Sequence, residues 1–98
     1  MRLRERDIAG IRTAAREVFG DTAVVRLFGS RLDDCARGGD IDLHVEAEAK
    51  DLGIDRQLAF RRLLNKEIGE RAIDIVFYAR GMQRRPIDEV AIGEGVVL

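Results

Sequence analysis

Two stretches of strict alternation, separated by a helix-length segment, constrain this chain more than any other feature. In Asp40-Ile41-Asp42-Leu43-His44-Val45 a strand turns Ile41, Leu43 and Val45 to one side and Asp40, Asp42 and His44 to the other. Residues 71–79 repeat the pattern, with Ile73, Ile75 and Phe77 on one face and Asp74, Val76 and Tyr78 on the opposite one. Between them Gly53 opens a helix with Leu58, Phe60, Leu64 and Ile68 inward, and Gly69 stands near its end. A connection that contains a helix predicts that the two strands run parallel.

The remaining elements follow from the same two periods. Asp7 is a candidate N-cap for a first helix carrying Ile8, Ile11, Ala15 and Val18, stopped by Gly20. Residues 23–28 are apolar and rich in β-branched side chains, and read as a strand ending at Gly29. The segment from Ser30 to Gly39 leaves no room for a crossover, so this strand is expected antiparallel to the next. Pro86 suits the first turn of a third helix, Gly93 and Gly95 end it, and Val96-Val97-Leu98 adds an edge strand. The order α-β-β-α-β-α predicts an α/β (α+β) fold: a small mixed sheet with helices packed mainly on one face. At 98 residues the expectation is one domain over 1–98, and a 46% apolar content is enough for its core.

Composition narrows the function. Seventeen basic and 18 acidic residues leave a net charge of −1, which argues against a generic basic nucleic-acid binder, so no direct nucleic-acid binding is expected. No apolar run approaches the ~20 residues that span a bilayer, and the opening MRLRERD is not a secretion signal. The single cysteine, Cys35, has no internal disulfide partner and makes a zinc cluster improbable. A cytoplasmic protein is expected.

The chemistry sits in the carboxylates. Asp40 and Asp42 project from one face, and on the strand alone they fit a solvated edge. Asp74 argues otherwise: between Ile73 and Ile75, a buried charge would need a cation or hydrogen-bond donors. Three carboxylates from two neighbouring strands suit hard divalent ions such as Mg²⁺, or Mn²⁺, which bind a few carboxylates together with substrate phosphates. Gly29-Ser30 at a strand end lets backbone approach a ligand and offers donors to phosphate.

Leu27-Phe28-Gly29-Ser30-Arg31, Gly38-Gly39-Asp40-Ile41-Asp42-Leu43 and Ile73-Asp74-Ile75-Val76 together resemble the minimal nucleotidyltransferase (MNT) family of the DNA polymerase β-like superfamily, with nine residues between Ser30 and Asp40. The tail from Arg85 through Leu98 also resembles small members. The resemblance implies the nucleotidyltransferase fold, nucleotide contacts from Gly29, Ser30 and Arg31, and metal binding and catalysis by Asp40, Asp42 and Asp74. It implies Mg²⁺ and ATP, and an antitoxin role beside a HEPN-domain toxin, silenced by transfer of AMP to a tyrosine hydroxyl. With that partner a hetero-oligomer is expected, or a homo-oligomer in its absence. Two rivals stand beside this reading: an antitoxin that neutralises by occlusion without catalysis, and a small-molecule, aminoglycoside-type transferase completed by a second subunit. Of the other residues, His44 reads as peripheral, Cys35 as incidental and Tyr78 as an edge aromatic. Arg31 stands open between a phosphate contact and an ion pair with Asp33 or Asp34. The uncapped apolar end at Val96-Val97-Leu98 predicts an exposed apolar patch.

Overall fold

The computed structural model describes residues 4–29, 41–69 and 72–98. Helix α1 (Glu5–Phe19) leads into β1 (Val24–Phe28); β2 (Ile41–Ala47) is followed by a single 3-10 turn at Ala49–Asp51 and by α2 (Ile54–Ile68). Strand β3 (Ile73–Ala79), α3 (Pro86–Glu94) and the short β4 (Val96–Val97) complete the order. The sheet runs β3-β2-β1-β4. β1 is antiparallel to β2 and to β4, and β2 is parallel to β3, as the connection lengths predict.

The core lies on the face carrying Val25, Leu27, Ile41, Leu43 and Val45, which α1 and α2 cover together. The two helices approach closely at Gly10, where an added Cβ would stand 3.0 Å from both Glu67 Cβ and Ile68 Cγ2. Phe19, Phe60 and Phe77 meet beneath them with ring centroids 5.2 to 6.3 Å apart, at the tilted and edge-on angles that aromatic quadrupoles favour.

Helix α3 packs on the opposite face, through Ala91 and Asp88, both fully buried. Two helices therefore share one face and one takes the other. The expected helix spans hold, with two corrections. Asp7 is not the N-cap: Arg4 occupies that position, and Asp7, three residues on, accepts the Arg4 backbone N–H at 3.3 Å and is itself buried. Leu58 does not face inward but is 48% exposed. Phe60, Leu64 and Ile68 form a stripe at four-residue spacing, and Leu58, two residues from Phe60, lies about 200° round the helix from it.

Candidate functional site

The parallel register between β2 and β3 pairs Asp42 with Asp74 directly. Side chains alternate across a sheet, so the two carboxylates are neighbours on one face, one strand spacing of about 4.8 Å apart at the backbone. Asp42 is half-buried and Asp74 is exposed. The expectation that Asp74 is a buried charge is thereby corrected: β3 is an edge strand, so the apolar flanks Ile73 and Ile75 turn to the core while Asp74 reaches water. Asp40, Ser30, Arg31 and Cys35 lie outside the described residues.

On the other side of Asp42 stands the end of β1. Phe28 pairs with Asp42 in the antiparallel register, and the chain leaves the strand at Gly29 with φ +77°. A Cβ on Gly29 would meet Asp42 Oδ2 at 2.5 Å and Cγ at 3.1 Å. Glycine is thus required twice, for a left-handed backbone and for a carboxylate packed against it.

Farther along the same face, α3 replaces solvent. His44, fully buried, donates from Nε2 to Asp88 Oδ1 at 2.8 Å. Its ring stacks on Tyr78 with centroids 5.9 Å apart and meets the Phe28 ring edge-on. Asp88 also accepts the Arg85 backbone N–H at 2.8 Å and its Nε at 2.9 Å, and Arg85 reaches the Phe77 carbonyl at 2.7 Å. Burial works against the charge on Asp88. The Arg85 guanidinium and backbone bonds and the His44 bond outweigh it, and hold its carboxyl well below the usual carboxylate range. Beyond His44, Glu46 accepts Arg26 Nη1 and Arg80 Nε, each at 2.9 Å. Burial raises its pKa, and these two arginines lower it by more.

His44 is thus an anchor for α3, set apart from the Asp42–Asp74 pair. Tyr78 lies on the edge strand as expected, but it is buried there, with its hydroxyl donating to the Met82 carbonyl at 2.5 Å. The role of Asp88 was missed. Its one local signal is an acid three residues after the N-cap of a helix begun by proline, and an arginine at that N-cap hides it.

The face therefore has two halves. One is filled by α3; the other holds Asp42, Asp74 and the Gly29 turn. Asp42 and Asp74 are hard oxygen donors on adjacent strands, a donor set that fits Mg²⁺ or Mn²⁺. Among the described residues no three acidic, histidine or cysteine side chains gather as a metal-binding group. No protein-family model matches this chain, and no curated protein is significantly similar to it. Among the described residues, no helix is long and apolar enough to cross a membrane.

Proposed function

We propose that this protein is a metal-dependent nucleotidyltransferase of the minimal type, an antitoxin that transfers AMP from ATP to a tyrosine hydroxyl of a HEPN-type toxin. The observation that carries the reading is the junction of Gly29, Asp42 and Asp74: a glycine turn against one carboxylate, with a second in register beside it. The Gly-Ser and Asp-x-Asp spacing of the sequence supplies the rest.

In this reading Asp40, Asp42 and Asp74 would hold Mg²⁺, and the chemistry it would supply there is neutralisation of phosphate charge and a more acidic attacking hydroxyl. Gly29 brings backbone to the phosphates without a side chain in the way, and Ser30 and Arg31 donate to their oxygens. Asp74, the more exposed acid, receives the acceptor. The acceptor oxygen bonds to the α-phosphorus, the bond from that phosphorus to the bridging oxygen breaks, and pyrophosphate leaves. The hydroxyl proton passes to Asp74 or to water.

The test is mass spectrometry of a cognate HEPN-type toxin after co-expression. The expected result is one or more AMP increments on a tyrosine, reduced on the order of 100-fold or more by Asp42→Ala, as for other electrostatic catalytic groups. Neutralisation with no added mass would leave occlusion as the mechanism.

A further inference from the structure

Strand β3 forms one border of the sheet, and among the described residues no strand pairs with its outer side. Ile41 N–H donates to the Ala72 carbonyl at 2.9 Å and Arg80 N–H to the Ala47 carbonyl at 2.8 Å. With the register, this directs the backbone groups of Ala72, Asp74, Val76 and Tyr78 toward β2, and those of Ile73, Ile75 and Phe77 outward. Arg85 occupies the Phe77 carbonyl. Among the described residues, the outward groups of Ile73 and Ile75 take part in no hydrogen bond. The register runs unbroken from Ile73 to Ala79, without the bulge, lysine or proline that blunts an edge against pairing.

Two further observations converge on this edge. A cleft of about 190 Å³, lined by Arg61, Leu64, Asn65, Ile73 and Ile75, runs between it and α2. On the opposite face of the same strand stands Asp74, exposed, its carboxylate without an ion pair or hydrogen bond among the described residues, with Asp42 behind it.

We infer that the acceptor is presented as an extended segment that adds to β3 as a fifth strand, its backbone bonded to Ile73 and Ile75 and its hydroxyl side chain over Asp74. This deepens the transferase reading and rests on it. In an antiparallel addition the residue opposite Asp74 belongs to a non-hydrogen-bonded pair, with Cα atoms about 4.5 Å apart, the closer of the two cross-strand arrangements. A tyrosine there is long enough to lean across Asp74 toward Asp42, one strand spacing of about 4.8 Å farther. Its sequence neighbours point to the other face, where the cleft takes an aliphatic side chain against Leu64, Ile73 and Ile75. Arg61 and Arg62 are exposed and form no ion pair among the described residues, so an acidic residue beside the aliphatic one completes the match. A second copy of this chain is a poorer occupant: two-fold pairing of β3 with itself brings Arg61 near its symmetry mate and sets Asp74 beside another Asp74.

The experiment uses the full chain and a short blocked peptide with a central tyrosine flanked by valine, leucine and glutamate. A second peptide carries N-methyl groups on the amides that would face β3. The expected result, without nucleotide, is amide shift perturbation at Ile73–Phe77 and Arg61 by the plain peptide. With ATP and Mg²⁺, an AMP increment on its tyrosine is expected. Ile75→Pro spares the β2 ladder, because the Ile75 amide faces outward. It should lower both binding and transfer about tenfold, the worth of one to two backbone hydrogen bonds, as should N-methylation. Glu17→Gln, on the exposed side of α1, should leave both unchanged, and circular dichroism of each variant confirms the fold. Binding and transfer insensitive to the proline and to N-methylation would overturn the edge-docking inference and leave the transferase reading intact. Edge binding with no AMP transfer would support the docking and remove the transferase reading. No peptide binding at millimolar concentration, or the same amide shifts arising on self-association alone, would also overturn the docking.

Discussion

At Gly29 and Asp42 the backbone of one strand end and the carboxylate of another strand share a space too small for a methyl group. Gly29→Ala should therefore displace Asp42 and strain a left-handed backbone by about 1–2 kcal/mol. AMP transfer should fall nearly as far as in Asp42→Ala, with a small loss in urea midpoint; unaltered transfer would detach Gly29 from the site. Asp88 poses the opposite case, a fully buried charge satisfied by His44 and Arg85. Asp88→Ala leaves His44 Nε2 without its acceptor and should cost about 3 kcal/mol, because breaking a buried pair strands its partner. Asp88→Asn, which keeps an acceptor oxygen, should cost less, and urea denaturation of the two variants checks the order. That Asp42 and Asp74 share a face was legible from alternation and the parallel connection. The His44–Asp88 bond was not, because it joins positions 44 apart and no local period links them.

Helix α3 is held mainly by polar groups where it begins, which makes its docking sensitive to acid. The Asp88 and Glu46 carboxyls are both held below their ordinary values of 3.8 and 4.5. For carboxyls depressed in the folded state, the stabilisation is fully present above the unfolded pKa values and is lost as pH falls through the folded ones. Stability should thus be flat in these two groups above about pH 5 and decline below about pH 4. Urea midpoints from pH 7 to pH 3 measure this, and Asp88→Asn should flatten the decline; an unchanged acid slope in that variant would remove Asp88 as its source. At the far end of α3, Val96 and Val97 are exposed while Leu98 packs against the core, so the apolar end is only partly a surface feature. Ile54, Leu58, Met82, Ile87 and Val90 are further exposed apolar side chains, on α2, α3 and the turn before it.

Across the whole molecule the sheet order ranks its parts. β2 pairs with β3 over seven residues and with β1 over five, β3 pairs on one side only, and β4 through two residues. Amide exchange should be slowest at Leu43 and Val45, which are fully buried, faster at the outward Ile73 and Ile75, and fastest in β4. Hydrogen–deuterium exchange read by NMR tests that ranking, and protection at Ile75 equal to that at Leu43 would show the β3 edge to be covered. The sequence by itself determined the elements, the face each strand side chain takes and the strand directions, because strand and helix periods are local and connection length limits how a chain can return. Only the tertiary structure decided that β3 lies at the border, which exposes Asp74, and that α3 crosses to the carboxylate face, which buries His44. Alternation says which side chains share a face; what covers that face, and which strand is left at the edge, depend on contacts between residues far apart in the chain.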